Sequence, residues 1–82
     1  MTEQEPIEMT FGETLVGLSF NPSKMDEVTE AKLMCADLAD LLYDHHEDKE
    51  DCTDIAHMIY DQAIGSILTA QMLSVKYLTF KN

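Results

Sequence analysis

The sequence predicts an all-α fold: an antiparallel helical hairpin with a short N-terminal arm, joined to further copies of itself in a homo-oligomeric bundle. Three observations carry this expectation. Apolar residues recur at spacings of three and four from Val28 to Leu42, which places them on one face of a helix. Ala63 to Phe80 is apolar or small on every side of a second helix. Between the two, DHHEDKED at residues 44–51 is a polar turn.

Residues 1–14 are acidic and polar without a period, and read as a flexible arm. They lack the basic stretch and apolar run of a secretory leader, so the expected compartment is cytoplasmic, with Cys35 and Cys52 as reduced thiols. Leu15 to Phe20, LVGLSF, is too short for a helix and is expected to pack as an extended segment. Asn21 precedes Pro22 and is therefore biased away from the α region.

Ser23 and Asp26 have the spacing of a capping box, which starts the first helix, over about 24–46. Its apolar stripe is Val28, Ala31, Cys35, Leu38 and Leu42, widened by Leu33, Met34, Leu41 and Tyr43, with Asp37, Asp40 and Asp44 opposite. Asp51 or Thr53 can cap the second helix, over about 52–79. At about 1.5 Å per residue it is roughly 40 Å long. Residues 15–82 thus form one helical-hairpin domain.

A helix that is apolar all round must be buried all round, and one partner helix with a short arm cannot do that. Gln62, Ser66, Thr69, Gln71, Ser74, Lys76 and Thr79 interrupt the segment too often for a membrane span. Self-association is the better solution, with Gly65 and Ala70 permitting close helix approach. A chain of 82 residues needs such help, since folding buries only about 60–65% of its unfolded surface. Two cysteines make no disulfide framework.

Five lysines, no arginine and sixteen acidic residues give a net charge of −11, which excludes a DNA or RNA polymer as partner. No Gly-x-Ser-x-Gly elbow or phosphate-cradling loop is present, and the cysteines and histidines lack metal-ligand spacing. The expectation is therefore no catalytic residues, no metal and no cofactor. The methionines and the tyrosines Tyr43, Tyr60 and Tyr77 read as core-facing.

Phe20, Asn21, Lys32 and Lys76 remain. An aromatic face stacks a nucleobase with about 1–3 kcal/mol, an amide reads its edge, and a lysine serves a phosphate. Phe20, Asn21 and Lys32 offer those three groups. Lys76, the sole charge between Gln62 and Phe80, must face water or an anion, because burying it unpaired is costly. On spacing alone, a core phenylalanine and lysines extending to solvent are the better fit.

The order of three segments adds to this. LVGLSFNPS, then VTEAKLMCADLADLL, then AIGSILTAQMLSVKYLTF resembles the phage anti-CBASS sponge family of small helical-hairpin proteins. The matching positions are Leu15, Gly17, Phe20, Asn21, Pro22 and Ser23; Val28, Lys32, Ala36 and Asp40; and Ala70, Gln71, Met72, Val75, Lys76 and Thr79. The resemblance implies a homohexamer, acting in the host cell cytoplasm, that holds cyclic dinucleotides such as 3′,3′-cyclic GMP-AMP between protomers without cleaving them. It also implies that Phe20 stacks on the bases and that Lys32 serves the phosphates. The candidate ligand-binding residues are Phe20, Asn21, Pro22, Ser23, Lys32, Gln71 and Lys76.

The chain departs from the family pattern in three places. Lys24-Met25-Asp26 stands where Gly-Asp-Pro is common, Leu73 stands where many members have tryptophan, and the arginine that some members use for cyclic trinucleotides has no counterpart. A second reading is an acidic oligomeric helical protein that inhibits a host protein by direct contact.

Overall fold

Thr10 and Glu13 start the first helix. Thr10 Oγ1 accepts a hydrogen bond from the Glu13 amide at 3.0 Å, and Glu13 Oε1 accepts one from the Thr10 amide at 3.1 Å. This reciprocal capping box satisfies two amides that a helix start leaves unpaired. In the computed structural model, which describes residues 9–48 and 53–81, the helices are α1 (Phe11–Val16), α2 (Asp26–Asp48) and α3 (Asp54–Leu78). No strand occurs among the described residues.

Six residues are too few for a helix to persist in water on its own, so α1 depends on packing against α2. Gly12 lies directly against α2: a Cβ there would stand 2.1 Å from the Ala36 carbonyl oxygen. The Gly12 amide donates to Asp40 Oδ1 at 2.6 Å. Phe11 stacks on Tyr43 with ring centroids 4.4 Å apart, and Val16 and Val28 are buried. Gly17 ends α1 with φ 63° and ψ 51°, a left-handed conformation that suits glycine. The Leu18 amide reaches back to the Glu13 carbonyl and the Gly17 amide to that of Thr14.

This corrects three expectations. Residues 11–14 are helical rather than part of a flexible arm, Leu15 and Val16 continue that helix instead of extending, and Asp40 caps α1 rather than lining a solvated face. Residues 1–8 of the expected arm lie outside the described residues.

Lys24 adopts φ 58°, a left-handed residue that interrupts helical backbone, so α2 starts at Asp26 rather than at 24. The expected Ser23–Asp26 capping box is not what holds this start. Ser23 Oγ accepts from the Met25 amide at 3.3 Å and donates to Asn21 Oδ1 at 2.7 Å. The buried stripe of α2 is Val28, Lys32, Ala36 and Ala39, rotated by one residue from the expected Ala31–Cys35–Leu38 line. α1 lies on that stripe, and the two alanines leave room for it. Cys35 is half-buried, and burial pushes its thiol up from the ordinary range, which makes it a poor nucleophile near neutral pH.

Thr53 caps α3, its Oγ1 accepting from the Ala56 amide at 3.1 Å, while Asp51, the other expected cap, lies outside the described residues. At one end of α2, His46 stacks on Tyr60 of α3 with centroids 4.0 Å apart. At the other end, Val28 and Lys32 share a cleft with Val75 and Thr79. Of the twenty-five residues of α3, only Ile67 and Gln71 are buried. Met34, Leu38 and Leu41 on α2 and Met58, Ile59, Met72, Leu73 and Tyr77 on α3 are exposed, so the expectation that the methionines and Tyr77 face a core fails within one chain. Among the described residues, no helix is long and apolar enough to cross a membrane.

The close approach at Gly12 gives the first prediction. Gly12→Ala forces a methyl into the Ala36 carbonyl and is expected to destabilise the protein by about 2 kcal/mol, lowering Tm by roughly 8–16 °C. Thermal unfolding followed by circular dichroism measures this, and an unchanged Tm would disprove the docking of α1.

Candidate functional site

The docking of α1 delivers the segment after it to the start of α2. Phe20, Asn21, Pro22 and Ser23 form one side of a cleft of about 270 Å³, Val28 and Lys32 of α2 its floor, and Val75 and Thr79 at the end of α3 its far wall. Residues far apart in the chain thus meet at one place. Five of the seven sequence-predicted site residues are among them: Phe20, Asn21, Pro22, Ser23 and Lys32.

Phe20 is 70% exposed. Within one chain its ring is therefore a surface rather than part of the core. Its backbone is fixed, because the Phe20 amide donates to the Gly17 carbonyl at 2.9 Å.

Asn21 is the hub of the turn. Its Nδ2 donates to the Met25 carbonyl at 3.0 Å and to Thr29 Oγ1 at 2.9 Å. Its Oδ1 accepts from Ser23 Oγ at 2.7 Å and from the Lys24 amide at 3.0 Å. A side-chain amide has two donor hydrogens and an acceptor with two lone pairs, so all four are used. Where the sequence expectation was a base edge, the polar atoms of Asn21 here tie the turn to α2.

Lys32 is 4% exposed. Its Nζ donates to the Gly17 carbonyl at 2.9 Å and to the Phe20 carbonyl, and lies 5.6 Å from the centroid of the Phe20 ring. Two of its three N–H groups thus serve carbonyls of its own chain. No buried polar side-chain atom among the described residues lacks a partner.

Gln71 and Lys76 do not line the cleft. Gln71 is buried on α3 one turn before Val75, and Lys76 faces solvent beside it. Val28, Val75 and Thr79 do line it, and were not among the candidates. Their signal was present, since all three are positions of the three-segment pattern. A second, smaller cleft of about 180 Å³ lies at the far end of α2, where Leu42, His45 and His46 meet Ile59 and Tyr60. Burial pushes the Tyr60 hydroxyl up from its ordinary range, helped by the nearby Tyr43 and the carboxylates of Glu47 and Asp61. No group of three His, Cys, Asp or Glu among the described residues is placed to hold a metal.

No protein-family model, curated protein or solved structure matches this chain.

Asn21 distinguishes a structural hub from a ligand reader. Asn21→Ala strips partners from the turn and is expected to destabilise the ligand-free protein by about 1–3 kcal/mol. Hydrogen exchange at residues 21–25 should accelerate in parallel. A variant with unchanged stability and exchange would return Asn21 to the role of a free base-edge reader.

Proposed function

We propose that this protein binds cyclic dinucleotides and sequesters them without cleavage, as a homo-oligomer of helical hairpins. The observation that carries the reading is the exposed Phe20 ring at the mouth of a cleft whose lining residues, among those described, are all positions of the three-segment pattern. The hexamer and the phage anti-CBASS role come with the resemblance and belong to the same proposal.

Two further observations support sharing of the ligand between protomers. At about 270 Å³ the cleft lies below the roughly 300–1,000 Å³ usual for small-molecule sites, so it suits one nucleotide half better than the whole ring. The apolar side chains that α2 and α3 expose, among them Leu41, Ile59, Leu73 and Tyr77, are available for burial against other copies. Two clefts facing one another across such an interface would enclose a ligand that has two bases.

The net charge of −11 slows the approach of a dianion but does not forbid binding, since the Debye length of about 8 Å at physiological salt screens remote carboxylates. Nothing in the proposal requires bond breaking. The role is retention: a messenger held in the assembly is withdrawn from its effector.

Titration calorimetry with 3′,3′-cyclic GMP-AMP, with native mass of the assembly, tests the reading. Phe20→Ala should weaken binding by about 5- to 150-fold, the equivalent of one lost stacking contact, with the assembly intact. Ligand released by heat should be chemically unchanged, and recovery of linear or hydrolysed nucleotide would sink the proposal. The alternative, an acidic inhibitor of a host protein, draws on Glu30, Asp37 and Asp44, exposed at seven-residue intervals on α2. It replaces the first reading if no cyclic dinucleotide binds below about 10 μM.

A further inference from the structure

We propose that Lys32 is a positioning residue, which holds the Phe20 ring in place from beneath rather than meeting a phosphate itself. The consequence for binding rests on the cyclic dinucleotide reading above; the clamp does not.

An ammonium taken out of water must have partners, and the nearest ones here are internal. Lys32 Nζ donates to the Gly17 carbonyl at 2.9 Å and to the Phe20 carbonyl, so both ends of the four-residue turn from Gly17 to Phe20 hang on one cation. That turn is closed a second time by the Phe20 amide on the Gly17 carbonyl. With the Phe20 carbonyl fixed, its Cα and the direction of its side chain are fixed too. The ammonium then lies 5.6 Å from the ring centroid, close enough for a cation–π attraction that restrains the ring. Lys32 as a whole is 4% exposed, and its two internal hydrogen bonds leave one N–H for anything that enters the cleft. A ring ordered before the ligand comes binds with less loss of conformational freedom.

The sequence contains no tryptophan, so the F20W variant carries a single indole at the platform. F20W, F20W/K32M and F20W/K32R are compared by indole anisotropy without ligand, and by titration with 3′,3′-cyclic GMP-AMP over a range of salt concentrations. If Lys32 is a clamp, K32M lowers the anisotropy with helicity retained and weakens affinity by about tenfold or more. The salt dependence of affinity stays as it was, and K32R recovers most of the loss. A K32M variant with unchanged anisotropy and a markedly shallower salt dependence would overturn the clamp in favour of direct phosphate contact.

If the ligand leaves the F20W emission untouched, the binding reading fails, while the ligand-free anisotropies still decide the clamp. Should K32M lose its helicity, the ammonium of the unmutated protein is observed by NMR. Slow exchange of its protons, with coupling to the Phe20 carbonyl, supports the clamp. Fast exchange without that coupling refutes it.

Discussion

Gly12 and the Ala36 carbonyl lie so close that no side chain fits between them, and the whole N-terminal end of the structure depends on that approach. It lets a six-residue helix rest on α2 near enough for Asp40 to take up the Gly12 amide and for Phe11 to stack on Tyr43. The left-handed Gly17 then turns the chain toward Lys32. Phe20 reaches the mouth of the cleft only because each of these steps precedes it. The site is thus built from backbone geometry first and side-chain chemistry second.

The parts of this fold that were legible in the sequence are those with a period or a cap. α2 and α3 fall within two residues of their expected bounds, since hydrophobic spacing over more than twenty residues is a strong signal. α1 escaped because six residues produce no period. Its marker was Thr10-Phe11-Gly12-Glu13, a capping-box sequence that the surrounding acidic residues obscured. The buried line of α2 was displaced for a related reason: Lys32 is charged and Ala36 and Ala39 are small, so none of them marks a core stripe as a leucine does, yet small and long side chains are what a docked helix and its carbonyls require.

The grouping of Phe20 to Ser23 with Lys32 could be read from the order of the segments, but the tasks of the individual residues could not. Whether an amide is free to meet a ligand depends on how many of its hydrogen bonds are already made, and spacing carries no record of that. Asn21 and Lys32 have the right chemistry for a ligand and have committed most of it internally. α3 shows the opposite case. Its uncharged surface was plain in the sequence, and the single chain leaves about half of it exposed.

The full commitment of Asn21 bears on selectivity. Among the described residues it is the only side-chain amide lining the cleft, and every one of its polar positions is occupied by the turn. Under the proposed reading a pocket of this kind would hold a planar ring by its face, and adenine and guanine present much the same face. Under the proposed reading such a trap is permissive by construction: a host that exchanged one purine of its messenger for the other would still find it captured.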